Sequence, residues 1–224
     1  MSSGIQMGHT PIRRIWVAAT LPELSCAPLQ GGTAVDGPWP VILLGDDLGL
    51  ATGCGPTAGA ALAWHLARHQ TRDIVGLGIA GVYPGSRCQV GRAYRIRSER
   101  FLDFGAESGC SDSVEALPFP GLSEEIITLA QMSEFDHLEA ADAATTALST
   151  GTARTALRRR SSGADLESME GAAWAMVARS AGVPFTQIRA VSNVAGPRDR
   201  ASWIIPAALD ALRTALAPGA QGVP

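Results

Sequence analysis

Residues 74–80, with the sequence IVGLGIA, form an apolar segment that contains no polar side chain. A strand with one face in water alternates apolar and polar residues, and this segment does not alternate. It is therefore expected to be a strand in a sheet that is covered on both faces. Such a strand indicates a protein of the α/β class.

Strand-like and helix-like segments alternate along most of the chain. Strands are predicted at residues 12–19, 41–44, 48–52, 74–80, 164–168 and 185–193, and apolar–polar alternation predicts another at 93–97. Helical spacing predicts helices at residues 55–68, 122–131, 153–160, 171–181 and 202–216, and a composition rich in Gly, Ser, Asp and Pro predicts a long loop at 101–120. This order predicts a single-domain α/β fold with a mixed β-sheet flanked by helices, covering residues 12–217 between frayed ends at 1–11 and 218–224.

The composition excludes several kinds of chemistry and partner. None of the 18 basic residues is Lys, so this chain cannot supply a Schiff-base lysine, a pyridoxal phosphate anchor or a P-loop lysine. A formal net charge of −3 gives no uniform basic field for binding nucleic acid. The sequence has no signal-peptide pattern and no apolar run of about 18 residues, so no membrane partner is expected.

The cysteines and histidines do not form a metal-binding pattern. The cysteines at positions 26, 54, 88 and 110 have no Cys-x-x-Cys spacing, which predicts neither a disulfide framework nor a zinc site and favours a cytoplasmic protein. His65 and His69 share one face of a predicted helix, but a third ligand is missing, so packing or surface roles are expected. The sequence predicts no metal and no cofactor.

Two glycine-rich or basic segments have ordinary structural explanations. Residues 53–59, GCGPTAG, differ by one position from the dinucleotide-binding fingerprint and predict a tight turn whose backbone faces a ligand or packs. The arginines at 158–160 close a predicted helix, where cations complement the helix dipole. We expect this basic triplet to be a solvated helix end.

Two glutamates occur where predicted strands end, which is where ligands gather in α/β sheets. Glu23 follows the first strand in the segment TLPE, and Glu170 lies at a strand-to-helix junction in SMEGAA. Carboxylates in such positions can orient water and stabilise a cationic sugar. Each of them can instead be an acid that complements a helix N-terminus. Position leaves both interpretations open.

The sequence resembles the purine nucleosidase and phosphorylase superfamily. The resemblance rests on the motifs SMEGAA at 168–173 and IRAVSN at 188–193, with GIAG at 78–81 and ATLPE at 19–23. These motifs are most similar to the branch that contains methylthioadenosine/S-adenosylhomocysteine nucleosidase. Three further segments resemble the futalosine hydrolase family: GVYPG at 81–85, SERF at 98–101 and SNVAGPRDR at 192–200, followed by Trp203. The similarity extends from residue 12 to residue 216.

The resemblance implies a role for each matching residue. The glutamate that matches Glu23 activates the attacking water, the one that matches Glu170 binds the ribose hydroxyls, and Met169 lies against the sugar. A water-activating glutamate implies hydrolysis rather than phosphorolysis. Further substrate contacts are implied at Thr20, Ala80, Gly81, Phe104, Thr152 and Trp203. The family also implies a homodimer or higher homo-oligomer, in which Phe104 reaches across the interface.

Asn193 departs from the methylthioadenosine branch, which has Asp at this position. An ionised Asp only accepts hydrogen bonds, whereas the Asn amide can donate one to O6 or N7 of a 6-oxopurine. Reversing such a buried contact costs on the order of 1–3 kcal/mol. Asn193 therefore predicts a hypoxanthine-bearing nucleoside, unless it only caps the turn after its strand.

The predicted reaction is hydrolysis of futalosine to hypoxanthine and dehypoxanthinyl futalosine, a step in menaquinone biosynthesis. Arg198 and Arg200 are the candidates for pairing with the carboxylated aromatic group of this substrate. Three alternatives remain: an adenine-releasing nucleosidase of the methylthioadenosine type, a purine nucleoside phosphorylase, and a non-catalytic nucleoside-binding protein.

Overall fold

A computed structural model describes residues 12–104, 106–107, 116–117 and 126–217. The strands are β1 (Ile12–Ala18), β2 (Thr33–Val35), β3 (Val41–Leu44), β4 (Asp47–Ala51), β5 (Thr71–Val82), β6 (Ala93–Glu99), β7 (Ala106–Glu107), β8 (Ala116–Leu117), β9 (Ile127–Thr128), β10 (Ala140–Thr145), β11 (Leu166–Ser168) and β12 (Phe185–Val194). The helices are α1 (Leu21–Leu24), α2 (Pro56–Leu66), α3 (Ala153–Arg160), α4 (Gly171–Ser180) and α5 (Ile205–Leu216), with 3₁₀ turns at Ser133–Phe135 and Arg200–Ser202. Within these ranges, every helix is too short or too polar to span a bilayer.

The strands form one mixed sheet of ten and a separate pair, β7 and β8, among the residues described. The strand order in the ten-stranded sheet is β11-β10-β6-β12-β5-β1-β4-β3-β2, and its tenth strand, β9, pairs with β6. Strand β11 also pairs with β5, in antiparallel register, so that β5, β12, β6, β10 and β11 close on themselves. This closure brings the end of β11 against the end of β5, where the main cavity lies.

The long strand β5 separates two hydrophobic cores. Ile74 packs with Leu62 and Trp174 from helices α2 and α4. Val75 and Leu77 point to the other core, which contains Ala208 and Leu212 from α5. All of these side chains are buried, so helices cover both faces of β5 as its apolar sequence predicts. The expected mixed α/β fold is confirmed.

One predicted helix is wrong in its described part. Residues 126–131 are not helical: Ile127–Thr128 forms β9 and pairs with Ser98 and Glu99 of β6. Two consecutive β-branched residues restrict side-chain rotation in a helix and favour an extended backbone. Residues 122–125 of the same prediction lie outside the described residues.

Other differences concern element boundaries. The last helix begins at Ile205 rather than at 202, because residues 200–202 form a 3₁₀ turn that the Asp199 side chain caps. Strand β10 was not predicted, since its sequence AADAAT has low β-propensity. The predicted loop at 101–120 includes β7 and β8, and the rest of it beyond Phe104 lies outside the described residues. The frayed ends predicted at 1–11 and 218–224 also lie outside them.

Candidate active site

A cavity of about 560 Å³ opens where β1, β5 and β12 end at their carboxyl termini. This volume is within the range of sites for small organic molecules. The predicted site residues that line it are Thr20, Glu23, Ala80, Gly81, Met169, Glu170, Asn193 and Trp203. The fold thus brings together side chains from segments up to 183 positions apart in the sequence.

Glu23 is held by a capping box on the one-turn helix α1. The Thr20 backbone N–H and hydroxyl donate to Glu23 Oε2 at 3.0 and 2.6 Å. Its other oxygen, Oε1, accepts a hydrogen bond of 2.9 Å from the backbone N–H of Ile79 on β5. Glu23 is therefore both the helix-terminal acid of one interpretation and a buried group on the cavity wall.

Burial raises the pKa of Glu23, and the nearby Glu170 carboxylate adds to this effect. The hydrogen bonds from Thr20 and Ile79 and the charge of Arg189 act in the opposite direction. A carboxyl group with a raised pKa is a better proton acceptor than an ordinary surface acid. Glu23 can thus take a proton from a water molecule bound in the cavity.

Glu170 occupies the N-cap position of α4, but its side chain makes no capping hydrogen bond. Its Oε2 instead lies 3.0 Å from Nη1 of Arg189, a fully buried guanidinium on β12. The carboxylate of Glu170 is therefore held by a cation rather than by the helix N-terminus. The interpretation of Glu170 as a simple helix-terminal acid does not account for this contact.

Because Gly78 has no side chain, Arg189 and Glu23 can both lie against the backbone of β5 at this position. A Cβ atom at position 78 would overlap Arg189 Nη1 and would lie 2.9 Å from Glu23 Oε1. The guanidinium also lies 5.1 Å from the Trp174 ring, which makes a cation–π contact. One buried cation thus stands beside both acids of the cavity.

A third buried acid near this group is Glu99 on β6, which is 0% exposed and feels the charges of Arg189 and Glu170. Glu99 accepts hydrogen bonds from Gln187 Nε2 at 2.8 Å and from the Thr145 hydroxyl at 3.1 Å. Burial raises its pKa to about 7, against the lowering effect of Arg189 and these two donors. A Cβ at Gly171 would overlap Glu99 Oε2, so the start of α4 closes over this carboxyl group.

Asn193 reaches the cavity because strand β12 has a bulge at its end. The pairing with β5 shifts between Val191 and Asn193, which places Asn193 in register with Gly81. Its Oδ1 accepts a 2.7 Å hydrogen bond from Ser192, and its Nδ2 donates to the Val194 carbonyl at 3.1 Å. Asn193 thus makes a local contact of the kind expected for a turn cap and also lines the cavity.

The basic end of α3 is not fully solvated, and this prediction is wrong at Arg159. That guanidinium is 7% exposed and pairs with Asp103 and, at 3.5 Å, with Glu167 Oε2. Glu167 also accepts hydrogen bonds from the backbone N–H and hydroxyl of Thr150, at 2.9 and 2.5 Å. Helical spacing turns Arg159 inward while Arg158 and Arg160 remain more exposed.

The two candidate arginines near the mouth of the cavity differ in position. Arg198 lines the cavity and donates a 2.9 Å hydrogen bond to the Ser149 hydroxyl. Its guanidinium lies 5.6 Å from the ring of Trp203, which also lines the cavity. Arg200 contacts the same ring at 6.0 Å but does not line the cavity. Arg198 is therefore better placed than Arg200 to contact a ligand in the cavity.

Two predicted site residues lie outside the cavity. Phe104 is 49% exposed and packs against Phe101, with ring centroids 5.7 Å apart. Thr152 is the N-cap of α3, where its hydroxyl accepts a hydrogen bond from the backbone N–H of Thr155. Thr150, two positions earlier, lines the cavity instead. The substrate contacts of Phe104 and Thr152 stay predictions.

The glycine turn at residues 53–59 joins β4 to α2. Gly53 and Gly55 have φ values of 72° and 62°, a backbone region that favours glycine. The Gly55 N–H donates to the Met169 carbonyl at 3.0 Å, so the turn supports the cavity wall. Cys54 lines the cavity, and desolvation and the adjacent Glu170 raise its pKa to about 12. Its thiol is therefore protonated at neutral pH rather than a nucleophile.

Three charged residues near the cavity, Arg189, Glu99 and Glu167, were not predicted as site residues. Arg189 is a cation inside β12, whose residues 185–192 are all buried, and Glu99 and Glu167 are acids within β6 and β11. A charged residue within an otherwise buried strand requires a partner, and this was the signal that could have identified them.

The residues in the described ranges contain no group of three His, Cys, Asp or Glu side chains that could hold a metal ion. His65 is 4% exposed and stacks on His69, with ring centroids 6.0 Å apart. Burial lowers the pKa of His65 to about 4. Cys26, Cys54 and Cys88 are free thiols, and Cys110 lies outside the described residues.

The family of this chain is identified by its similarity to known proteins. The model of the phosphorylase superfamily matches residues 34–217. A futalosine hydrolase from Thermus thermophilus is 34% identical over 185 residues, which cover 75% of this chain and 78% of that protein. A futalosine hydrolase from Streptomyces coelicolor is 54% identical over 69 residues, covering 30% of this chain and 29% of that protein.

A solved structure shows the same fold at low sequence identity. It is a 5′-methylthioadenosine/S-adenosylhomocysteine nucleosidase from Helicobacter pylori, with a TM-score of 0.77 and 13% identity. The match covers 92% of this chain and 96% of that one. The sequence matches show that this chain belongs to the phosphorylase superfamily and, within it, to the futalosine hydrolase family.

Proposed function

We propose that this enzyme hydrolyses the N-glycosidic bond of futalosine, giving hypoxanthine and dehypoxanthinyl futalosine. The observation that carries the proposal is the pair of buried acids, Glu23 and Glu170, beside Arg189 on the wall of one cavity. Membership of the futalosine hydrolase family supplies the substrate. We place the reaction in menaquinone biosynthesis, because the resemblance implies that pathway.

The proposed mechanism gives each acid a separate task. Water attacks the anomeric carbon while Glu23 takes one of its protons, and its raised pKa suits this role near neutral pH. The bond between that carbon and the base nitrogen breaks, and its electron pair leaves with hypoxanthine. Positive charge develops on the ribose, where Glu170 stabilises it and binds the hydroxyl groups. The proton taken from water finally neutralises the departing base.

Asn193 acts on the leaving base. Negative charge spreads from the bond that breaks onto O6 of hypoxanthine, and an amide N–H near O6 stabilises it. The Nδ2 of Asn193 uses one hydrogen for the Val194 carbonyl, which leaves the second for the base. An amide does not release a proton near pH 7, so Asn193 stabilises the base without acting as an acid.

Arg198 and Trp203 are proposed to bind the carboxylated aromatic group at the 5′ end of futalosine. Both line the same side of the cavity, and the guanidinium lies over the indole ring. An aromatic wall beside an arginine complements a flat ring with a carboxylate. The position of Arg198 on the cavity favours it over Arg200 for this contact.

We further propose that the enzyme works in the cytoplasm as a homodimer or higher homo-oligomer. Phe104 is half exposed and lies outside the cavity of its own chain. This position is compatible with a role in the site of a neighbouring copy, as the family resemblance implies.

Product analysis tests the reaction. The enzyme is incubated with futalosine with and without inorganic phosphate, and the products are separated by chromatography. We expect hypoxanthine and dehypoxanthinyl futalosine in both samples, and no turnover of methylthioadenosine. Strict dependence on phosphate would establish a phosphorylase, and adenine release from methylthioadenosine would establish the other nucleosidase type. Binding of futalosine without turnover would contradict an enzymatic role.

A further inference from the structure

Gly81 lies between an acid and an amide at the cavity wall. On one side, the antiparallel pairing of β11 with β5 sets Glu167 opposite Gly81. On the other side, the parallel pairing of β12 with β5 sets Asn193 opposite the same glycine. A Cβ atom at Gly81 would lie 3.4 Å from both Asn193 Nδ2 and Glu167 Cγ. The two side chains thus flank one backbone position, and both line the cavity.

Glu167 retains acceptor capacity for a ligand. Its side chain is 7% exposed, and its oxygens accept two hydrogen bonds from Thr150. Arg159 Nη1 donates a third, longer hydrogen bond of 3.5 Å to Oε2. An ionised carboxylate has about four acceptor positions, so these three bonds leave capacity for one more. The Arg159 guanidinium, 3.5 Å from Oε2, balances the buried charge. Glu167 therefore presents an acceptor beside the Asn193 donor.

We propose that Glu167 and Asn193 together recognise the six-membered ring of the base, with Glu167 accepting from N1–H and Asn193 donating to O6. This inference rests on the proposed release of hypoxanthine. A 6-oxopurine has a donor at N1 beside an acceptor at O6, and the acid–amide pair complements both groups. A 6-aminopurine reverses both groups, so it meets an acceptor and a donor of the wrong kind. Glu167 is thereby a specificity-determining residue.

The test measures the affinity of the free bases for Glu167→Gln. Hypoxanthine and adenine are titrated against the wild-type enzyme and the variant by calorimetry. We expect the wild type to prefer hypoxanthine by at least about tenfold, because a mismatched buried hydrogen bond weakens binding to that extent. In Glu167→Gln the ratio of the two affinities should fall by about tenfold, since the new amide can donate to N1 of adenine. Glu139→Gln, which removes an exposed carboxylate, should leave the ratio unchanged.

A purely structural role of Glu167 predicts a different result. Loss of its bonds to Thr150 would weaken both bases by the same factor and leave their ratio unchanged, which would overturn the proposal. If Glu167→Gln does not fold, the wild type is titrated with 1-methylhypoxanthine. Its methyl group removes the N1 donor, so binding should be lost, and affinity equal to that of hypoxanthine would overturn the proposal.

These outcomes are separate from those of the proposed function. If the wild-type enzyme releases hypoxanthine from futalosine but Glu167→Gln keeps its base preference, only the recognition by Glu167 is wrong. If the wild-type enzyme does not cleave futalosine at all, the proposed reaction is wrong, and this second inference falls with it.

Discussion

Arg189 shows how much of this site depends on one buried charge. Its Nη1 lies 3.0 Å from Glu170 Oε2, and its charge also acts on Glu23, whose Oε1 lies against Gly78 as Nη1 does. Removing one partner of a buried ionic group leaves the other charges uncompensated, which is more damaging than losing a surface ion pair. The consequences of losing this cation should therefore appear in both stability and catalysis.

Arg189→Met tests this role. We expect kcat for futalosine to fall by at least about a hundredfold, as for other groups that organise charge in a site. The free energy of unfolding should fall by about 3 kcal/mol, because two buried acids lose their cation. Steady-state kinetics and denaturant titration measure the two effects. Arg92→Met, which removes an arginine that is 56% exposed, serves as the control; equal behaviour of both variants would contradict this role.

Glu99 predicts a dependence of stability on pH. The pKa of Glu99 is raised from its ordinary 4.5 to about 7, so the folded protein binds this proton more tightly than the unfolded chain. Its contribution to stability is therefore complete below pH 4.5 and is lost as the pH rises to about 7. The loss should amount to about 3 kcal/mol.

Glu99→Gln removes this titration and should flatten the profile. The new amide can keep both contacts, because Gln187 Oε1 has no hydrogen-bond partner among the described residues and can accept from it after rotation. Chemical denaturation of both proteins between pH 4.5 and 8 measures the difference. Parallel profiles for wild type and variant would rule out Glu99 as the titrating group.

At the scale of elements, the first residues of two helices fix the positions of buried acids. The helix α1 has four residues, and its capping box fixes Glu23, while α4 begins where Gly171 closes over Glu99. The local geometry at the start of each helix thus fixes the position of an acid.

Thr20→Val removes one hydroxyl from the capping box. The hydroxyl donates to Glu23 Oε2 and lowers the pKa of Glu23, so its loss should raise that pKa further. Glu23 must be ionised to accept a proton from water, and the acid limb of the kcat profile should therefore move to higher pH. The profile is measured with futalosine, with Thr214→Val on the exposed face of α5 as the control. An unchanged acid limb would show that another group controls it.

Gly171→Ala should disrupt the start of α4. The added methyl group would overlap Glu99 Oε2 and lie 2.7 Å from Gln187 Oε1, so both buried side chains would have to move. We expect a loss of about 3 kcal/mol in the free energy of unfolding and a large loss of activity. Gly59→Ala in α2 is a matched control, because its new methyl group would have its nearest contact at 3.6 Å. This control should be neutral or more stable by up to about 1 kcal/mol; thermal denaturation compares the two, and similar stabilities would contradict the crowding argument.

At the scale of the whole molecule, β5 is the centre of the fold. It pairs with β1, β11 and β12 and is covered by helices on both faces. The edge strand β2 is exposed throughout and pairs only with β3 among the described strands. The molecule therefore combines a protected centre with an open edge.

Hydrogen exchange should follow this division. Amides of residues 74–79 should exchange only through global unfolding, whereas those of β2 should exchange through local opening. Native-state exchange followed by mass spectrometry or NMR measures both sets. Equal protection of β2 and β5 would show that the sheet does not open from its edge.

The sequence predictions succeeded where local composition decides the structure and failed where contacts between distant residues decide it. The strand at 74–80 was predictable because its composition alone requires burial on both faces. The helix predicted at 122–131 failed in its described part because pairing with β6 determines the state of Ile127 and Thr128. Arg159 was misjudged for the same reason, since its partners Asp103 and Glu167 are distant in sequence.

The amino-acid sequence by itself determined the α/β class and the absence of lysine chemistry, and it marked Glu23, Glu170 and Asn193 as candidate site residues, because these depend on composition and on short motifs. The tertiary structure alone decided that Arg189 stands beside both acids, that Arg198 rather than Arg200 lines the cavity, and that Glu167 faces Asn193 across Gly81. Those relations depend on the closure of the sheet and the bulge in β12. Such pairings join residues far apart in the chain, and local patterns do not encode their geometry.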